Sequence, residues 1–150
     1  MRCKETAQTV TLTSPAGASA TEIGASTFKG DMLTRAELLV IDATLLGGTG
    51  GTLDVYLQRK IATNTWRDWI HFPQVAAATA KKYTLTITGE GSSIVETSGG
   101  TDASPGVGLA ANTAINVIPG GEVRVVFVSG GGNTVGASNS ITITPYTVRA

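Results

Sequence analysis

The chain predicts an all-β fold, an antiparallel β-sandwich of about eight to ten short strands. Three observations predict it. Apolar and polar residues alternate with a period of two in segment after segment. Glycine clusters fall between those segments, where turns need them. No repeat of fixed length runs through the 150 residues, which argues against a solenoid or a propeller.

The elements follow in order. Val10 and Leu12 alternate with Thr9, Thr11 and Thr13 in the one clear strand near the amino terminus. Residues 1–30 therefore read as an N-terminal arm or edge segment, and residues 31–150 as the sandwich domain. Two strands are expected at Ala36 to Leu45 and Thr52 to Ile61, separated by Gly47-Gly48-Thr49-Gly50-Gly51. That loop supplies the positive φ angles a hairpin needs. Thr34-Arg35-Ala36-Glu37 also has the form of a capping box, with Leu38, Ile41 and Leu45 on one helical face. The β-branched Val40, Ile41 and Thr44 favour strand over helix there. Trp66 to Val75 is a strand ended or bent by Pro73.

Further along, Tyr83, Leu85 and Ile87 alternate with Thr84, Thr86 and Thr88. Ile115 to Ile118 reads as a short strand before the turn Pro119-Gly120-Gly121. Val123, Val125 and Phe127 mark the next strand, and Ile141 and Ile143 the last. These rows put aliphatic side chains inward and threonines outward. Gly89 to Gly106 is the longest polar stretch, with Ile94 and Val95 as a short strand inside it, and Gly130 to Gly136 is a loop.

Composition narrows the function classes. A hydrophobic content of 41% excludes a disordered tail. Lysine plus arginine and aspartate plus glutamate each number 11, so the net charge is zero and the basic excess of a nucleic-acid binder is missing. Near-zero charge gives little colloidal repulsion, which suits a protein held in an assembly. The single cysteine, Cys3, excludes an intramolecular disulfide and a thiolate metal cluster. The charged start Met1 to Glu5 is not followed by an apolar stretch. The longest apolar run, Leu38 to Leu46, is interrupted by Asp42 and Thr44 and falls short of the roughly 20 residues of a membrane span. The expectation is a protein made in the cytoplasm, with no membrane partner.

Residues able to carry chemistry are few. His71 is the only histidine. It can be cast with Asp68 and a serine as a triad, yet no Gly-x-Ser-x-Gly elbow is present, and a structural or exposed histidine is the plainer reading. Asp42, Asp54 and Asp68 fall on three neighbouring strands, where paired carboxylates serve glycosidases. Cross-strand pairs of Asp54 and Asp68 with Arg59, Lys60 or Arg67 are the plainer reading. No metal-loop pattern accompanies these acids. Gly89-Glu90-Gly91 lacks the Gly-Lys-Ser/Thr of a phosphate loop. The expectation is no catalytic residue, no cofactor and no metal.

The aromatic cluster Tyr56, Trp66, Trp69 and Phe72 is the most informative feature of a chain with 5% aromatics. Trp66 and Trp69 have opposite parity on an extended strand, so one faces in and the other out. An outward tryptophan beside Tyr56 can stack on a sugar or anchor a protein partner. The alternative is that both close the core, with a bulge between them.

The stretch Thr52-Leu53-Asp54-Val55-Tyr56-Leu57-Gln58, followed by Thr65-Trp66-Arg67-Asp68-Trp69-Ile70-His71-Phe72, resembles small structural proteins of tailed bacteriophages. Glu37 to Thr44 fits the first strand of the long hairpin in that pattern. In size and strand count the chain is similar to capsid decoration (cement) proteins with a jelly-roll-like sandwich. The resemblance implies a structural virion protein on the outer capsid surface. It would bridge coat subunits, with the major capsid protein and its own homotrimer as partners and no nucleic acid. Met1 to Phe28 would be the arm. Val10, Leu12, Tyr56, Trp66, Trp69, His71 and Phe72 are the candidate protein-contact residues. Two rivals stand beside this reading. One is another binding module, either carbohydrate-binding or a tail, neck or head-fibre protein. The other is an enzyme centred on Asp54, Asp68 and His71.

Overall fold

The computed structural model describes residues 1–12, 20–28, 35–47, 50–89, 109–130 and 139–148. In chain order its strands are β1 (Arg2–Lys4), β2 (Gln8–Leu12), β3 (Ala20–Phe28), β4 (Leu38–Leu46), β5 (Thr52–Ala62) and β6 (Thr65–His71). They continue with β7 (Val75–Ala76), β8 (Ala80–Ile87), β9 (Thr113–Ala114), β10 (Val123–Gly130) and β11 (Asn139–Val148). No helix occurs among the described residues. The segment with a capping-box start is strand β4, and its burial alternates residue by residue, with Leu39, Ile41, Ala43 and Leu45 inward.

Two antiparallel sheets pack together, as a sandwich requires. The first has the order β2-β11-β4-β8, with β1 continuing the β2 edge along β11. The second has the order β3-β10-β5-β6, with β9 beyond β6 and β7 continuing beside β5. Among the eight longer strands, the chain changes sheet at every step except β5 to β6. That is jelly-roll connectivity. The core lies between the sheets, built from the inward rows of β4, β5, β10 and β11 together with Phe28, Trp69 and Ile70.

Two expectations are corrected here. The Gly47–Gly51 loop is not a hairpin turn. It carries the chain from β4 in the first sheet to β5 in the second, with Gly50 and Gly51 at φ 73° and 67°. Alternation reports which face of a strand is buried, not which strand it pairs with. The hairpin is β5–β6, closed by Thr63 and Asn64, with Asn64 at φ 55°. Ile115 to Ile118 is not a strand either. Val117 N–H bonds back to the Ile115 carbonyl at 2.8 Å, a turn that an extended chain cannot make. Ile115, Val117 and Ile118 instead pack on the core as a cap.

At the amino terminus, β1 and β2 form an edge of the first sheet and β3 an edge of the second, while Val10 and Phe28 lie in the core. The short strand expected at Ile94 and Val95 lies outside the described residues.

The crossing from β4 leaves no room at Gly47. A Cβ added there would sit 2.1 Å from the Ala76 carbonyl oxygen, a backbone atom that cannot swing aside. Gly47→Ala is expected to lower stability by about 1–3 kcal/mol. Urea denaturation reads this as a lower midpoint with an unchanged slope.

Candidate functional site

The outer face of the second sheet carries a buried polar row, and a bulge in β6 builds it. On β5 the alternation is regular. Leu53, Val55 and Leu57 face the core, so Asp54, Tyr56 and Gln58 face outward. On β6, Leu57 is opposite Ile70 and Gln58 is opposite Asp68, which leaves Trp69 as the extra residue. Trp69 and Ile70 both enter the core. Asp68 and His71, of opposite parity in sequence, then share the outer face with Tyr56 and Gln58.

Hydrogen bonds join these groups. His71 Nε2 is 3.0 Å from Asp54 Oδ1, and Gln74 Nε2 donates to Asp54 Oδ2 at 2.9 Å. His71 Nδ1 donates to the Leu109 carbonyl at 2.6 Å, and Leu109 N–H donates to Asp68 Oδ2 at 3.0 Å. Gln58 links the other side, donating to Asp68 Oδ1 at 2.9 Å and accepting from Arg124 Nε at 2.8 Å. Tyr56 stacks on His71 with ring centroids 3.8 Å apart. Asp54, Gln58, Asp68 and His71 are each no more than 4% exposed.

The protonation pattern follows from the partners. A carbonyl oxygen can only accept, so Nδ1 carries a proton. His71 Nε2 faces the Asp54 carboxylate, which also accepts. For Asp54, burial pushes the carboxyl pKa up, but the hydrogen bonds from His71 and Gln74 and the His71 charge together hold it below its ordinary value. Burial, reinforced by the charges of Asp54 and Asp68, pushes the Tyr56 phenol above its ordinary value. The Tyr56 hydroxyl is buried without a hydrogen-bond partner.

This arrangement brings Asp54, Asp68 and His71 into one network, as the enzyme reading requires. Among the described residues, no serine, threonine or cysteine side chain is hydrogen-bonded to His71. Both ring nitrogens of His71 are engaged, one by a backbone carbonyl and one by a carboxylate, and general-base work needs a free one. What the row does is grip the main chain of Leu109 at both N–H and C=O. Asp54 takes His71 and Gln74 in place of the cross-strand cations expected from sequence. Among the described residues, no group of three or more histidine, cysteine, aspartate or glutamate side chains is placed to hold a metal ion.

The candidate contact residues divide sharply. Val10, Tyr56, Trp69, His71 and Phe72 are all buried, so they cannot meet a partner from where they stand. The physical reasons differ. Val10 and Phe72 fill the core, the bulge turns Trp69 into it, and Tyr56 and His71 lie stacked on each other. Leu12 pairs with Asn139 through the backbone, and its side chain lies outside the described residues. Trp66 alone is half-exposed, on the outer face opposite Lys60. A sugar-stacking platform of Trp66 or Trp69 with Tyr56 is therefore not presented. Gln58, Gln74, Leu109 and Arg124 were not singled out from sequence. The even parity of Asp54, Tyr56 and Gln58 is the signal that finds the first of them.

A shallow apolar cavity of about 200 Å³ opens at the side of the sandwich between β6, β8 and β9, lined by Ile70, Phe72, Tyr83, Leu85, Thr113 and Ala114 among others. His71, Thr84 and Asn112 also border it. Comparison with known protein families, with curated proteins and with solved structures found no match to this chain. Fold and geometry are what define it: an antiparallel jelly-roll sandwich whose polar row is spent on its own main chain.

Proposed function

We propose that this chain is a structural virion protein that binds the outer surface of a bacteriophage capsid and stabilises it by bridging coat subunits, itself as a homotrimer. One observation carries the reading. The groups able to do chemistry are buried on the outer face of the second sheet and bonded to one another and to Leu109, whereas the first sheet offers a broad, regular hydroxyl face. Thr9, Thr142, Asp42 and Thr84 stand side by side across its four strands. Thr9 and Thr142 hydroxyls are 2.8 Å apart, and Thr84 donates to Asp42 at 2.6 Å. Such a face works by contact area and by many modest hydrogen bonds.

Jelly rolls serve viral capsid and lectin domains alike, so fold does not choose between them. The burial of Tyr56 and Trp69 weighs against the lectin reading. The test mixes purified protein with undecorated phage shells. Co-sedimentation and a raised shell melting temperature are expected, along with a trimer mass by light scattering. Failure to bind any capsid form overturns the proposal.

A further inference from the structure

The outer face near the tip of the β5–β6 hairpin carries a block of two cations around one aromatic ring. Lys60 is opposite Trp66, and Arg124 of β10 is opposite Gln58. The acidic groups on these three strands and the adjoining turn are Asp54, Asp68 and Glu122. The first two are buried in the network described above. Glu122 is largely exposed, and its carboxylate is 3.9 Å from Lys60 Nζ. Such a pair at the surface holds little charge in place.

Trp66 sits at the centre of this block. Arg124 Cζ lies 4.5 Å from its ring centroid and Lys60 Nζ 5.8 Å. The bond from Arg124 Nε to Gln58 fixes the guanidinium over the indole and leaves the terminal nitrogens for another acceptor. Burial holds Arg124 below its usual pKa. The result is a planar, half-exposed aromatic anchor flanked by the Arg124 guanidinium and the Lys60 ammonium, with no carboxylate bonded to Arg124 among the described residues. Tryptophan and arginine in this setting are the residues that dominate protein interfaces.

We infer that the Trp66–Arg124–Lys60 face of the second sheet is a docking site for a carboxylate-bearing segment of a partner protein chain. An arginine fork matches a carboxylate bidentately, and a glutamate or aspartate brings its own stem to lie on the indole. A nucleic acid fits less well. The cations form a block rather than a stripe along a backbone path, and the whole chain is neutral. This names the contact chemistry of the surface-binding reading and rests on that reading for the partner's identity.

The test titrates the full chain with a capped hexaglutamate peptide, following tryptophan emission, with hexalysine and a hexathymidine oligonucleotide in parallel. Hexaglutamate is expected to shift the Trp66 emission saturably, and 0.5 M salt to weaken it, since exposed charges are screened beyond about 4–5 Å there. Arg124→Gln and Lys60→Gln should each weaken binding about tenfold, and Arg124→Lys by less. Lys82→Gln, on the first sheet, should leave it unchanged. Unaltered melting of Arg124→Gln would show that its loss is not unfolding. No emission change with hexaglutamate, equal weakening by Lys82→Gln, or preference for hexathymidine each overturns the site. Shells bound without hexaglutamate binding would remove this site and keep the virion reading. The reverse outcome would keep the site and remove that reading.

Discussion

Asp54→Ala is expected to lower stability by about 3–5 kcal/mol at neutral pH, because removing one partner strands the other in a buried pair. His71 Nε2 would lose the carboxylate it bonds in a place with little water to replace it, whereas the exposed Gln74 amide can turn to solvent. Asp54→Asn should cost less. A neutral imidazole keeps its Nδ1–H bond to Leu109, and an amide N–H can donate to Nε2. The charge is the part that amide cannot supply, and pH isolates it. Asp54 has a native pKa below its unfolded value of about 3.9, so its contribution is fully present above that value. It is lost as pH falls through the lower native value. The Asp54 share of the stability gap between the native chain and Asp54→Asn should therefore be present in full near pH 5 and be lost below pH 4. Urea midpoints across that range measure it. A gap that stays constant into strong acid would mean that Asp54 acts as a hydrogen-bond acceptor and not as a charge.

The same cluster shows what a sequence can and cannot reveal. The inward rows of β4 and β5 are plain from alternation, because a strand's two faces are local geometry. So is the opposite parity of Trp66 and Trp69, which the structure resolves as one half-exposed and one buried. Pairing is not local. Leu39 and Leu53 carry the same pattern, yet their strands lie in different sheets. The bulge at Trp69 is invisible for a related reason. It exists because β6 must pair with β5 in a register set by both strands, and it alone puts Asp68 and His71 on one face. Leu109, which completes the row, lies 38 residues from His71 and 41 from Asp68 and contributes only backbone atoms. No residue type at position 109 could have announced it. The burial of Tyr56 and Trp69 was hidden on the same ground: aromatic residues dominate both interfaces and cores, and sequence cannot tell an anchor from a filler.

Trp69 is where packing and bulge meet, and its replacement should be as costly as that of Asp54. The side chain is fully buried among the inward rows. Its indole N–H donates to the Val117 carbonyl at 3.1 Å, and its own carbonyl accepts from Ile115 N–H at 2.9 Å. The first bond is lost on substitution and the second, being backbone, is not. Trp69→Ala leaves a large cavity beneath the Ile115–Ile118 cap and should cost about 3–5 kcal/mol. At about 2–4 °C per kcal/mol for a chain of this size, the melting temperature should fall by roughly 6–20 °C. Trp69→Phe keeps most of the apolar volume and removes the donor. Its cost should be nearer 1–3 kcal/mol, the penalty for leaving a buried carbonyl unbonded. Hydrogen exchange separates the two effects. In Trp69→Phe the Val117 and Ile118 amides should lose protection while those of β5 and β10 keep theirs, because the indole bond ties the cap to the sandwich beside the bonds of Asn116 and Ile115 and holds no strand in its sheet. Uniform loss of protection across both sheets would show instead that the cap and the sandwich open together.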